Sequence, residues 1–176
     1  MYVALLRGIN VGGKHKLPMK DLVAIFQAAG CESVRNYIQS GNIVFSADAA
    51  LAGQIPDVVG AAVEERFGFR PPMLVRSAAE LEALVRDNPF VAEGADENSL
   101  HVVFLADPPD PDRVAALDPD RSPPDRFAVV GSSIYLHCPN GLAKSKITNA
   151  WLDSRLRTMS TGRNWRTVNT LLEMAR

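Results

Sequence analysis

The stretch YVALLRGINVGGKHKLP, residues 2–18, decides how the chain is read. Tyr2 to Arg7 is a short apolar run of the length of one strand. Gly8-Ile9-Asn10-Val11-Gly12-Gly13-Lys14-His15-Lys16 follows as a glycine-rich basic loop, and a helix pattern starts at Pro18. Strand, flexible basic loop and helix is an arrangement that presents backbone N–H groups to an anion. Gly8, Gly13 and Lys14 also satisfy G-x-x-x-x-G-K, most of a phosphate-binding P-loop. His15 then stands where that motif needs a magnesium-holding hydroxyl, and the helix starts about four residues after the lysine instead of at it. A nucleotide-triphosphatase loop is therefore not expected here.

Working outward, Leu22, Ile25, Phe26 and Ala29 recur at helical spacing, and Gly30 suits the residue after a helix end. The spacing predicts a helix over 18–29. Val34–Ile38 and Ile43–Ser46 read as strands joined by the turn Gln39-Ser40-Gly41-Asn42. Ile55, Val58, Val59, Ala62 and Val63 predict a second helix ending near Gly68, and residues 71–76 a fourth strand. The order β-α-β-β-α-β is the ferredoxin-like motif, an antiparallel sheet with helices on one face. Ser77 and Glu80 form a capping box for a helix to about Asp87. A second β-α-β-β-α series follows: a strand at 100–106, a short helix at 111–117, a hairpin of 127–130 and 133–137, and a helix at 145–157. A short strand near 158–161 and a last helix from Asn164 complete it. The expected architecture is α+β, two ferredoxin-like halves plus a C-terminal helix. The expected division is 1–76 as the first half, 77–99 as a connecting helix and acidic loop, and 100–176 as the second half.

The 176 residues, 47% hydrophobic and 22% charged, suit a globular core. No apolar run approaches the roughly 20 residues of a membrane helix, and the N-terminus lacks a signal-peptide pattern. Cys31 and Cys138 make neither a disulfide framework nor a metal cluster, so a cytoplasmic protein with reduced thiols is expected. The net charge of −1 is unevenly spread: residues 1–76 carry 8 basic and 6 acidic side chains, 77–138 carry 4 and 12, and 139–176 carry 7 and 2. A positive face is thus hidden in the total, unless the acidic middle neutralises it.

Two predicted helix starts, Asn140–Lys146 and Thr161–Thr167, hold cations and hydroxyls and no acid, against the usual preference. A bound anion would relieve that conflict. The ordinary explanation is that Ser145 caps a helix and the cations pair with acids elsewhere. Trp165 and Trp151 read as core aromatics. His101 and His137 lie on neighbouring strands, and alternation could put both on one face with Val103 and Tyr135, but a third metal ligand is lacking. No metal, no cofactor and no catalytic residue is assigned. G-x-S-x-G, H-E-x-x-H and C-x-x-C motifs are absent.

The segments LLRGINVGGK (5–14), YIQSGN (37–42), Val75-Arg76-Ser77, Asn88-Pro89-Phe90, Lys144-Ser145-Lys146 and Arg163-Asn164-Trp165 together resemble the domain of unknown function 1697 family of small, mostly bacterial proteins. The resemblance runs to Ala175. It implies an α+β fold with ferredoxin-like units and transfers no activity. His15 departs from the Asn often found there, which argues against an essential imidazole. The resemblance marks Arg7, Asn10, Lys14, Gln39, Ser40, Asn42, Lys144, Ser145, Arg163 and Asn164 as family motif, and if their loops converge they form one basic, amide-rich site. Three functions compete: binding of an anionic ligand such as a nucleotide or nucleic-acid phosphate, an enzyme acting on a phosphorylated or carboxylated small molecule, and an interaction protein whose motif residues satisfy buried backbone. A deep pocket would favour the enzyme and a flat basic stripe the polymer.

Overall fold

The computed structural model describes all 176 residues, in two compact units: Met1–Glu82 with Leu171–Arg176, and Ala83–Thr170. The boundaries fall within the helices Ala78–Arg86 (α3) and Trp165–Ala175 (α7).

In the first unit the elements are β1 (Tyr2–Leu6), α1 (Met19–Ala28), β2 (Glu32–Tyr37), β3 (Asn42–Ser46), α2 (Ala49–Phe67) and β4 (Met73–Ser77). The sheet order is β2-β3-β1-β4, and every pairing is antiparallel. Strands β1 and β2 therefore run the same way with β3 between them, and each helix crosses back over the sheet. Ala4, Leu6, Ile43, Phe45 and Met73 pack against Leu22, Ile25 and Phe26 of α1 and Ile55, Val59 and Val63 of α2. Val3, Leu5 and Val44, on the alternate positions, are fully buried as well. A near-continuous apolar run is what a strand covered on both faces requires.

Helix α2 starts six residues before its first periodic apolar position. Asp48 caps it, its carboxylate accepting from the Leu51 N–H at 2.8 Å. The opening Ala49-Ala50-Leu51-Ala52 is strong helix former with little pattern, so spacing alone misses it. The Ser77–Glu80 capping box is present: the Glu80 N–H donates to Ser77 Oγ at 3.2 Å, and the Ser77 N–H to the Glu80 carboxylate at 2.7 Å.

The second unit holds α4 (Pro89–Ala92), β5 (Leu100–Leu105), α5 (Pro111–Ala115), β6 (Arg126–Val130), β7 (Ser133–His137), α6 (Asn149–Leu156) and β8 (Ser160–Asn164). Its sheet order is β6-β7-β5-β8, again antiparallel throughout, so the topology of the first sheet recurs position for position. Val103, Leu105, Ile134 and Leu136 meet Ile147, Leu152 and Leu156 in one core. The α+β expectation holds in both sheets.

Three local expectations change. Helix α6 begins at Asn149, not near Ser145, because Thr148 is the cap; its hydroxyl accepts from the Trp151 N–H at 3.1 Å. Arg163 and Asn164 lie on β8, and only the Asn164 side chain serves α7, accepting from the Thr167 N–H at 2.8 Å. His101 pairs with Leu136, and His137 with Leu100, so the register puts the two imidazoles on opposite faces of the sheet.

Candidate functional site

The ten residues marked in the sequence divide between the units, six in the first and four in the second. In the first unit the loop after β1 folds around Asn10. Its φ of 55° turns the chain. Its amide then closes the loop: Oδ1 accepts from the Leu17 N–H at 2.8 Å, and Nδ2 donates to the Leu17 and Gln39 carbonyls at 2.9 and 3.1 Å. Asn42 is fully buried, and its Nδ2 donates to the Tyr37 carbonyl and to Ser40 Oγ. Gly41, at φ 78°, lies so close to the strand that a Cβ would come within 2.8 Å of Leu6 Cβ and 2.9 Å of Ile9 Cδ1. Arg7 donates its N–H to the Pro72 carbonyl at 2.9 Å. Lys14 is exposed, with its N–H bonded to the Val11 carbonyl, five residues before α1 begins. The helix does not begin at that lysine, so the partial P-loop motif lacks the strand–loop–helix join of a P-loop. His15 lies flat against Phe69, ring centroids 4.6 Å apart.

In the second unit the segment between β7 and α6 is pinned from below. Ser145 Oγ accepts from the Ile147 N–H at 3.1 Å and hydrogen-bonds the Cys138 thiol. The Lys146 N–H donates to Ser122 Oγ at 3.0 Å, which donates to Asp125 at 2.7 Å. Lys144 is left exposed on a single 3-10 turn, Leu142–Lys144. Beside this segment opens a cleft of 280 Å³, lined by His101 and Val103 of β5, Leu136 of β7, Leu142, Ile147, Thr148 and Asn149 at the start of α6, and Gly162, Arg163 and Asn164 of β8. A Cβ on Gly162 would sit 3.7 Å from Asn149 Oδ1 and 3.8 Å from Val103 Cγ2, so the missing side chain is part of the open space.

The electrostatics follow from burial. Arg163 donates to Thr161 Oγ1 at 2.9 Å and to the Gly162 carbonyl at 2.7 Å. Burial lowers its pKa to about 10, which still leaves it charged at neutral pH. Burial also lowers the His101 pKa, against a hydrogen bond with the Ser99 backbone, so the imidazole is neutral near pH 7. Its Nδ1 is buried without a partner. Burial pushes the Cys138 thiol up to about 11, helped by Asp125, and holds it protonated. No group of three His, Cys, Asp or Glu side chains is placed to hold a metal.

Gly162 and Asn164 thus share the cleft face with His101 and Val103, Arg163 borders the cleft on the strand between them while its side chain turns to the other face with Thr161, and Lys144 and Ser145 flank it. Sequence reasoning gave no site role to Thr148 or Asn149 and held Gly162 only as part of a predicted helix start. His101 had drawn notice only as half of a metal pair. A glycine on a strand signals close approach, but the predicted strand ends near 161, so Gly162 carries that signal only once β8 runs through it.

Taken together, the topology defines an α+β protein built from two antiparallel sheets of one strand order. The chain belongs to a family described as "Protein of unknown function (DUF1697)", which matches residues 1–135. It is similar to a solved structure, that of the conserved bacterial protein SP0830 from Streptococcus pneumoniae, at 25% identity and a TM-score of 0.76, over 99% of this chain and 98% of that one. No curated protein matches the chain. No helix is long and apolar enough to cross a membrane.

Proposed function

We propose that the second unit binds a small molecule carrying a phosphate or carboxylate group, in the cleft at the start of α6. One juxtaposition supports the reading. The cleft joins the first turn of α6, which contains no acid, to the strand end that carries Gly162 and Asn164. A helix start offers free N–H groups and partial positive charge, and Asn and Thr side chains add donors. Lys144, exposed on the preceding turn, raises the local positive potential. Val103, Leu136, Leu142 and Ile147 supply an apolar wall for the rest of the ligand. A volume of 280 Å³ suits a compact ligand such as a sugar phosphate or part of a nucleotide. A polymer would instead follow a long basic stripe.

A second reading, an enzyme acting on the same ligand, rests on His101. A neutral imidazole lining the cleft has the charge state of a general base. The ligand reading belongs with a cytoplasmic protein whose buried thiols stay reduced.

Thermal unfolding with inorganic phosphate, nucleotides, sugar phosphates and short RNA, at low and moderate salt, tests the proposal. A compact anion raises the melting temperature of the parent chain, and Asn149→Asp, which sets a carboxylate at the helix start, removes the rise. A response to RNA of any sequence that survives Asn149→Asp contradicts it.

A further inference from the structure

We propose that the outer edge of β6 pairs, antiparallel, with β6 of a second copy of this chain. Strand β6 ends its sheet and is bonded only to β7. The two-residue turn Gly131-Ser132 has glycine in the left-handed region, at φ 56°, in its first position. Val130 and Ser133 flank it and form its hydrogen-bonded pair, so by alternation Ala128 and Arg126 also bond β7. Phe127 and Val129 then turn their N–H and C=O groups outward.

The edge lacks the guards that usually prevent pairing. Residues 127–130 read Phe-Ala-Val-Val, with no bulge, and Val130 is 47% exposed. The one charge on the strand, Arg126, is matched by Glu93 at 2.6 Å. Strand β2, which holds the corresponding edge of the other sheet, is guarded. Strand β2 carries Glu32, Arg35 and Asn36, and its register slips between Glu32 and Arg35, where Ser33 adopts φ 50°.

The β6 edge is also complementary to itself. With a two-fold axis at Ala128, Phe127 of each copy exchanges both backbone bonds with Val129 of the other. Arg126 comes beside Val130 of the second copy, so no like charges meet. A single five-residue strand pair is a small interface, and the association is expected to be weak, in the micromolar to millimolar range.

Sedimentation velocity over concentrations reaching about 1 mM should show a monomer–dimer equilibrium. Hydrogen exchange should slow at the Phe127 and Val129 amides as concentration rises, while Ala128, already bonded to β7, stays unchanged. Val130→Lys puts a second cation beside Arg126 and should weaken the dimer at least tenfold. Val130→Glu, which offers that arginine an acid, should keep or strengthen it. Position 130 is exposed, so both variants should melt like the parent. A monomer at every concentration overturns the proposal. So does a dimer on which the two variants act alike, or one whose formation leaves the Phe127 and Val129 amides unprotected.

Discussion

In the first unit the loop after β1 closes on itself through Asn10, and Asn42 is sealed under the β2–β3 turn. In the second unit, with the same strand order, the segment before α6 is pinned from beneath by Ser145 and Ser122 and leaves a cleft open beside it. Both regions draw attention in the sequence for the same reason, a cluster of Gly, Asn, Ser and basic residues. The difference lies in what the polar atoms already hold. An amide that bonds three backbone groups has little left to offer a ligand, whereas the start of α6 adjoins an open cleft. We therefore read the first cluster as holding the fold and the second as the place for a ligand.

The largest effect that bears on this contrast is expected at Gly41. Gly41→Ala forces a left-handed residue and a 2.8 Å contact with Leu6 Cβ, and should cost about 3 kcal/mol in chemical denaturation. A cost below about 0.5 kcal/mol would mean that the turn is loose and the first loop is not held as described.

Asn10→Ala comes next. It leaves the Leu17 N–H and two carbonyls without their partner and should cost about 1–3 kcal/mol. It should leave any ligand response intact. Loss of that response with stability unchanged would reverse the roles of the two loops.

The order of elements along the chain was legible from the periodicity of Leu22, Ile25 and Phe26, from the turns at Gln39–Asn42 and Gly131-Ser132, and from the capping box at Ser77. These are local signals, and local chemistry determined them. The start of α2 and the cap at Thr148 were not legible, because Ala49–Ala52 has no apolar rhythm and a threonine one turn from a serine is an equal candidate cap. The cleft was only half legible. Arg163 and Asn164 stood out as polar motif residues. His101 and Gly162 enter it because β5 and β8 pair in a register that brings His101 opposite Asn164, a long-range fact that no window of sequence contains.

A smaller effect separates the units by pH. Burial lowers the His101 pKa below its ordinary 6.5, so below pH 6.5 the unfolded chain takes up a proton that the folded chain resists. The stability that this neutral imidazole contributes is complete above pH 6.5 and is lost as pH falls from there through the folded value. His101→Leu should flatten the dependence in that window, as measured by denaturation midpoints at several pH values. An unchanged slope would show that His101 is not the group responsible.

The smallest effect is expected at Gly162. Its backbone is not left-handed and a Cβ meets only ordinary contacts, so Gly162→Ala should change stability by less than about 0.5 kcal/mol. The methyl narrows the cleft, so the ligand response should weaken while the fold does not. A glycine whose replacement harms binding alone is the counterpart of Gly41, whose replacement harms folding.

The most direct measurement is a backbone amide NMR titration with inorganic phosphate and with the anion that gives the largest thermal shift. Saturable shifts are expected at Thr148, Asn149, Gly162, Arg163 and Asn164, with Asn10, Lys14 and Asn42 unmoved. Shifts centred on residues 8–16, with the start of α6 silent, would contradict this placement of the ligand.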